Sequence, residues 1–402
     1  MSGSHPRRRR SILTKACLVL VGLMLVDQLI LRTAMADGEF LGQPLAPYVP
    51  PIYSSAQSRI LDQLERELAE RPEEFRAESS FDGELGWCSK PSRVRDRVTF
   101  DEFGSRVSFE PLREASGRRI ALVGCSFTLG SEVGDRDTWV YKLDEHLTDA
   151  HFANFGVGGY GLDQALVRYR RDVAPLNPDE VWLGIFPGAI LRISSHFPPL
   201  YHRWRARTLF FKPRFELTEA GQLELRPSPA TTPEAVRSLL EDPAKFLDAM
   251  RGDPWLARRP AAFRPLGSHW THHSAATRVG LTLAEDGGRD ATAILRDPTD
   301  PLFRLGVAIV LELAHELEER GVRFRCLVFP SQVELRAFGR SGEAFWHPFT
   351  RALEERGVEV LDLTPALFEA EVTEDPNAWM PFGHYSPTTH DRVVDELRRR
   401  AT

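Results

Sequence analysis

The chain contains 402 residues, 42% of them hydrophobic and 27% charged, a composition typical of a globular protein that can bury a core. Its 51 basic and 57 acidic side chains give a net charge of −6, so the electrostatics do not favour a nucleic acid as partner. No period of about 20–50 residues repeats along the chain, which argues against a solenoid.

The first 36 residues predict export from the cytoplasm. Residues 7–10 are all arginine, and residues 12–31 are largely apolar. Twenty helical residues span about 30 Å, the thickness of the hydrocarbon core of a bilayer, and the basic flank is expected to stay in the cytoplasm. We therefore expect an inner-membrane anchor, with the main domain in the periplasm or otherwise outside the cytoplasm.

Two other interpretations of this segment remain open. Ala34-Met35-Ala36 resembles a signal-peptidase site, so the protein would be secreted after cleavage near Ala36, and the RRSIL run loosely resembles a twin-arginine leader. Ten residues of mixed polarity, from Asp27 to Ala36, separate the densest apolar stretch from the end of that site. This long separation favours an uncleaved anchor. A buried core helix is the third interpretation.

The four cysteines are Cys17, Cys88, Cys125 and Cys326. They form no CxxC pair and no zinc-like spacing, so the sequence indicates neither a redox motif nor a metal site. Because Cys17 lies in the apolar segment, at most one disulfide can form in the exported part, and Cys88 with Cys326 is one such pair. Cys125 is expected to be a small core residue.

Three regions follow one another along the chain. Residues 1–36 form the leader, and residues 37–60 are rich in proline and glycine, which predicts a stalk. Turn-rich segments continue this extension to about residue 115. The main domain occupies residues 116–402.

In the main domain, strands alternate with helices. Apolar runs predict five buried strands, at 120–124, 152–155, 181–186, 322–329 and 358–363. Helical patterns follow at about 138–147, 161–173, 302–320, 344–356 and 387–399. The alternation predicts an α/β fold, a three-layer α/β/α sandwich with a parallel, flavodoxin-like five-stranded sheet. Trp139 and Trp182 are expected to be core or sheet-covering residues, and His390 on the last helix is expected to face solvent.

Between about 190 and 300 the alternation breaks down. Because a loop of this length is uncommon inside a compact domain, we interpret it as a large insertion after the third strand, covering one end of the sheet. Residues 216–225 predict a β-hairpin within it. The run His269-Trp270-Thr271-His272-His273 could offer metal ligands, but it lacks carboxylates, and a packed or surface cluster is favoured. No metal is expected.

Three loops at strand ends carry the candidate chemistry. Ser126 follows the first strand in GCSFTLG, Asn154 opens NFGVGGYG after the second strand, and His384 precedes the last helix in GHYSP. Each has an ordinary structural explanation: a serine can cap a helix, a glycine-rich loop can be a tight turn, and a loop histidine can be a surface residue. The serine and histidine could also form a nucleophile–base pair.

In combination, these motifs resemble the SGNH/GDSL hydrolase family, over residues 118–188 and 302–400. The stretches GCSFT, NFGVGGYGLDQA and FFKPRF are similar to an exported bacterial subgroup with an N-terminal membrane segment. The resemblance implies that Ser126 is the nucleophile and His384 the general base, and that the N–H groups of Ser126 and Gly159 hold the oxyanion. It implies that Asn154 shapes the loop, and it implies no cofactor.

The chain departs from the family pattern at two places. After the third strand the family usually has an Asn, in a G-x-N-D motif, where this chain reads Phe186-Pro187-Gly188. The acid two or three residues before the catalytic His is also absent, because Pro381 and Phe382 stand there; Glu374 and Asp375, further upstream, lack the spacing. The third member of a triad is therefore not identified.

The predicted function is an exported serine ester hydrolase, either an esterase or deacetylase or an O-acyltransferase. Its substrate would be an acylated small molecule or carbohydrate, and the resemblance favours an ester of an envelope or exported polysaccharide. Two alternatives stay open. One is a catalytically degenerate relative that binds glycan or supports polysaccharide assembly, which the two departures motivate, and the other is an unrelated flavodoxin-like binding module.

Overall fold

The computed structural model describes residues 6–35, 39–40, 43–45, 62, 66, 80–92, 94–95, 97–109, 117–201, 210–255, 270–286 and 290–401. The chain divides into two compact units. The first comprises Met1–Leu64, His202–Leu209 and Arg237–Gly288, and the second comprises Glu65–Tyr201, Phe210–Val236 and Arg289–Thr402. Most of the predicted stalk, and His269 of the predicted histidine cluster, lie outside the described residues.

The strands and helices are numbered in chain order. The strands are β1 Glu39–Phe40, β2 Gln43–Pro44, β3 Ser80–Asp82, β4 Gly86–Cys88, β5 Val94–Arg95, β6 Val98–Thr99, β7 Arg118–Gly124, β8 Ala150–Asn154, β9 Glu180–Ile185, β10 Arg214–Leu217, β11 Leu223–Arg226, β12 Arg323–Val328 and β13 Glu359–Asp362. The helices are α1 Pro6–Thr33, α2 Ser126–Leu129, α3 Trp139–His146, α4 Leu162–Arg168, α5 Pro198–Tyr201, α6 Pro233–Glu241, α7 Pro243–Ala249, α8 Ala275–Asp286, α9 Ala291–Arg296, α10 Pro301–Glu319, α11 Gln332–Ser341, α12 His347–Glu354, α13 Thr364–Glu369 and α14 Pro387–Ala401.

In the first unit, helix α1 contains the predicted membrane segment. The part Thr14–Thr33 has a mean hydropathy of 1.9, and none of it is buried. It is long and apolar enough to cross a membrane, and a signal sequence has the same properties. The third interpretation, a buried core helix, is wrong, because the apolar side chains of this helix are exposed.

Asp27 is the acidic residue that interrupts this apolar segment, and it caps another helix. Its carboxylate accepts hydrogen bonds from the N–H groups of Ala275 at 3.1 Å and Ala276 at 2.8 Å, and from Ser274 Oγ at 3.3 Å. The first N–H groups of an α-helix have no partner within the helix, so a carboxylate there stabilises the N-terminus of α8. The structure thus gives Asp27 a local role within the first unit.

The second unit is built on a five-stranded sheet in the order β13-β12-β9-β7-β8, with every pair parallel. Each strand corresponds to one of the predicted apolar runs, and the order is that of a flavodoxin-like sheet. Helices α3 and α14 pack together on one face, and α10 packs against α4 and α12. The predicted three-layer α/β/α fold is confirmed, and its topological switch point lies between β7 and β9.

The core of the second unit contains the residues that hydrophobic patterning predicted. Trp139 is fully buried, and Trp182 and Cys125 are buried in the same cluster, as predicted. Cys88 and Cys326 are also buried, and neither is in a disulfide, so the pairing considered from the sequence does not form. Cys326 lies within the sheet, on β12.

The predicted insertion contains the predicted hairpin. Strands β10 and β11 pair antiparallel, from Arg214 opposite Arg226 to Leu217 opposite Leu223. Residues 237–288 belong to the first compact unit, whereas the hairpin and α9 belong to the second. Of the predicted histidine cluster, His272 is buried and His273 is exposed. That the insertion covers one end of the sheet stays a prediction.

His390 does not face solvent, and that prediction was wrong. The side chain is 1% exposed, because His390 shares the buried stripe of α14 with Val393, Val394 and Leu397. Its Nδ1 accepts the N–H of Trp139 at 3.2 Å, so the ring nitrogen must be unprotonated. Burial, together with the positive charges of Lys142 and Arg106, lowers the pKa of His390 from 6.5 to about 3.

We expect His390 to make folding stability depend on pH. The unfolded chain protonates this histidine below pH 6.5 and the folded chain does not until about pH 3, so its contribution is complete above 6.5 and is lost as the pH falls. Its share of the loss is about 1.4 kcal/mol per pH unit in that window. His390→Asn keeps an acceptor for Trp139 without the titration. Denaturant unfolding at pH 7, 6, 5 and 4 should show a shallower dependence in the variant; parallel curves for the two proteins would contradict this.

Candidate active site

Ser126 lies immediately beyond β7, at the switch point of the sheet. The strand ends at Gly124, whose φ of +150° is a conformation that side chains rarely adopt. A Cβ at Gly124 would overlap Thr128 Oγ1 and lie 2.7 Å from the carbonyl oxygen of Gly184 on β9. Helix α2 therefore starts directly at Ser126, packed closely against the neighbouring strand.

Asn154 connects the loop after β8 to the loop that carries Ser126. Its Nδ2 donates to the carbonyl of Thr128 at 2.9 Å, and its Oδ1 accepts the N–H of Gly156 at 3.0 Å. The N–H of Val157 also donates to the carbonyl of Gly124, at 3.0 Å. The side chain of Asn154 is buried and fully used in these contacts, which hold the two loops together.

The loop after β8, residues 155–161, is called the second loop, and it leaves two backbone donors free. Val157, Tyr160 and Gly161 use their N–H groups, the latter two to Val157 O at 3.3 Å and Gln164 Oε1 at 3.4 Å. In the part of the chain that the structure describes, the N–H groups of Gly158 and Gly159 have no acceptor. The N–H of Ser126, in the first turn of α2, has no helical acceptor either. Such donors can stabilise an oxyanion.

His384 is held at the tip of a tight turn. The N–H of Met380 donates to the carbonyl of His384 at 2.8 Å, and Gly383 takes φ +89° to close the turn. Ser386 follows as the cap of α14, where its Oγ accepts the N–H of Thr389 at 3.5 Å. The imidazole ring lies 5.3 Å from the ring of Phe127, the residue after Ser126.

Glu132 is the partner of this imidazole, and the sequence did not identify it. Its carboxylate accepts His384 Nδ1–H at 2.5 Å, the backbone N–H of His384 at 3.2 Å and that of Phe382 at 2.9 Å. With Nδ1 as donor, Nε2 carries the lone pair that a general base needs. Among the described residues, Glu132 alone is hydrogen-bonded to the imidazole; Ser126 Oγ is not, and this contact is often long in free enzymes.

Arg106 fixes the loop that presents Glu132. Its buried guanidinium donates to the carbonyls of Leu129 at 3.0 Å, Gly130 at 2.7 Å and Val133 at 2.7 Å, and it forms an ion pair with Asp135 at 2.8 Å. Glu132 itself has φ +74°, a strained conformation for a residue with a side chain. The bonds on both sides of it offset that strain.

The third strand ends in an apolar side chain instead of the Asn of the family pattern. Phe186 follows β9, and its ring lies 5.1 Å from the ring of Phe127. The guanidinium of Arg192 lies 5.6 Å from the centre of the Phe186 ring, and Arg192 Nη1 donates to the carbonyl of Tyr160 at 2.8 Å. Arg192 thus connects the second loop to the residue that ends the third strand of the sheet.

No family model and no curated protein matches the chain. Among solved structures, it is similar to an acetyl xylan esterase, AlAXEase, with 10% identity, 71% of this chain and 100% of that chain covered, and a TM-score of 0.37. It is also similar to a protein assigned to the G-D-S-L lipolytic family from Desulfitobacterium hafniense DCB-2, with 10% identity, the same coverages and a TM-score of 0.32.

A third similar structure is a catalytic mutant of an acetylxylan esterase from Geobacillus stearothermophilus. It has 12% identity, 71% of this chain and 94% of that chain are covered, and the TM-score is 0.36.

Substituting Gly184 should disturb the junction that positions Ser126. A Cβ there would overlap Thr128 Oγ1, so we expect Gly184→Ala to destabilise the fold by about 1–3 kcal/mol. Thr128→Ala removes Oγ1, the atom that the new Cβ would overlap, so the double variant Gly184→Ala/Thr128→Ala should recover part of that loss. Denaturant unfolding of the four proteins measures the coupling, and purely additive losses would show that the steric explanation is wrong.

Proposed function

We propose that the chain is an exported serine hydrolase of the SGNH/GDSL type, with Ser126, His384 and Glu132 as a catalytic triad. The observation that carries the proposal is the carboxylate–imidazole pair of Glu132 and His384 on the ring of Phe127, next to Ser126. It supplies the orienting acid that the spacing before His384 lacks. A histidine held by a carboxylate at Nδ1 is suited to accept a proton at Nε2.

The reaction follows from these roles. Ser126 Oγ attacks the carbonyl carbon of the ester while His384 Nε2 takes the hydroxyl proton. Glu132 keeps the imidazole in the correct tautomer and stabilises the imidazolium that forms. The N–H groups of Ser126 and Gly159 hold the oxyanion; its collapse breaks the ester C–O bond, and His384 returns the proton to the leaving alcohol. Water or a sugar hydroxyl then takes the acyl group from Ser126.

The oxyanion site relies on backbone donors. Phe186 offers no hydrogen-bond donor where the family pattern has an Asn. Loss of one oxyanion donor typically reduces kcat by about 10²–10³-fold, so we expect slow turnover of simple esters. This departure also supports the alternative, a relative that binds glycan without turnover. The other argument for that alternative was the missing acid before His384, and Glu132 would take the place of that acid.

An acylated carbohydrate of the cell envelope is the substrate class that we propose. The motifs resemble an exported subgroup, and α1 has the length and hydropathy of a membrane anchor. An inner-membrane anchor would keep the second unit in the periplasm, near polysaccharides in transit. Hydrolysis and transfer share the acyl-enzyme and differ in the acceptor.

The proposed triad can be tested with the full chain in mild detergent. A fluorophosphonate probe should label the wild type and not Ser126→Ala, and p-nitrophenyl acetate should be turned over. We expect His384→Ala and Glu132→Gln to reduce kcat by about 10²–10⁴-fold, since both remove an oriented base. Glu374→Gln is the matched control, because Glu374 lies upstream of His384 but pairs with Arg336 on the surface.

The outcomes separate the two functions. Loss of activity in Glu132→Gln with full activity in Glu374→Gln would support the triad. Equal activity in Glu132→Gln and the wild type would remove Glu132 from the mechanism. A folded wild type that neither labels nor turns over the ester would contradict the enzyme and favour the binding protein.

A further inference from the structure

The second loop is covered by a hairpin from the N-terminal extension. Strands β3 and β4 pair antiparallel, and Trp87 on β4 is buried. Its indole Nε1–H donates to the carbonyl of Gly158 at 2.8 Å. A Cβ at Gly159 would lie 3.4 Å from the same indole ring. The extension therefore contacts the peptide unit that joins Gly158 to Gly159.

The geometry of that peptide links Trp87 to the oxyanion site. The carbonyl of Gly158 and the N–H of Gly159 belong to one planar trans peptide, in which they point in opposite directions. A hydrogen bond that holds the carbonyl toward Trp87 thus directs the N–H away from Trp87. We propose that Trp87 is a positioning residue, which orients the Gly159 N–H toward the oxyanion of the reaction proposed above.

The peptide needs such a restraint because its own residues do not supply one. Tyr160 N–H donates to Val157 O, and Gly159 has φ +82°, the value that the third residue of a type II turn requires. Rotation of the central peptide converts a type II turn to type I, with φ near −90° at that residue. Glycine allows both, and the space beside Gly158 is open, since a Cβ there would meet nothing within 4 Å.

Trp87 is itself held in place. Tyr160 Oη donates to the carbonyl of Trp87 at 2.6 Å, and the two rings form a T-shaped pair at 5.7 Å. Burial raises the pKa of Tyr160 well above 10.0, so its hydroxyl remains a donor. Gln164 Nε2 donates to the carbonyl of Leu85 in the turn of the same hairpin, at 2.8 Å. The hairpin is thus joined to the second loop through Gly158 and Tyr160, and to the following helix α4 through Gln164.

The direct test compares Trp87→Phe with the wild type, as the full chain in detergent. Phenylalanine keeps an aromatic ring and removes the indole donor. We expect kcat for p-nitrophenyl acetate to fall by about 10–100-fold, part of the effect of a lost oxyanion donor, with KM within about twofold. Affinity for a boronic acid, which mimics the tetrahedral intermediate, should fall by the same factor as kcat.

Trp182→Phe is the matched control. Trp182 is also buried, and its indole donates to Glu180 at the N-terminal end of β9, away from the loops. We expect a comparable loss of unfolding stability in both variants, without a change in kcat or boronate affinity for Trp182→Phe. A purely structural role for Trp87 would lower stability and leave those two quantities unchanged.

Gly159→Ala provides a second route if Trp87→Phe does not fold. Alanine disfavours φ +82°, so the turn should change to type I and direct the N–H elsewhere while Trp87 is retained. A fall in kcat and boronate affinity would show that the orientation of the Gly159 N–H matters for the oxyanion, as the proposal requires, and unchanged values would overturn the proposal. An active wild type with fully active Trp87→Phe overturns this inference alone, whereas an inactive wild type overturns the proposed function and this inference with it.

Discussion

The carboxylate of Glu132 is the point on which the candidate site depends. It accepts hydrogen bonds from His384 Nδ1 and from two backbone N–H groups of the turn that carries His384. These bonds join two loops that are 252 positions apart in sequence. The rings of Phe127 and Tyr385 pack beside this pair, and apolar surroundings strengthen its electrostatic interaction. Without Glu132, no other residue that the structure describes would select the tautomer of the imidazole.

Residues that precede the sheet hold the loops at its edge. Arg106 binds three carbonyls on either side of Glu132, and Trp87 binds the carbonyl before Gly159. The loops themselves are short and rich in glycine, which permits close approach but leaves several backbone conformations accessible. The segment before β7 therefore completes the architecture around Ser126, although sequence patterning indicated only turns there.

In the loops after β7 and β8, side chains bind several backbone carbonyls, whereas two backbone N–H groups have no acceptor in the part of the chain that the structure describes. The side chains of Asn154 and Arg192 donate to loop carbonyls, and the N–H groups of Gly158 and Gly159 have no acceptor among the described residues. Gly158 and Gly159 are only partly buried, so these two donors are accessible to an incoming anion or oxyanion. Phe186 adds an apolar wall instead of a further donor.

Local pattern determined the five strands of the main sheet, the principal helices that alternate with them and the loops that contain Ser126, Asn154 and His384, because hydrophobic periodicity and strand-end loops are properties of short segments. It did not determine that Glu132 is the partner of His384. Glu132 has φ +74° and lies in a loop that no spacing rule connects to the histidine. His390 was predicted to face solvent because its imidazole is polar. It lies instead on the buried face of α14, since it accepts the N–H of Trp139, which is 251 positions away. Only the tertiary structure brings such pairs together, since their contacts depend on the packing of distant segments.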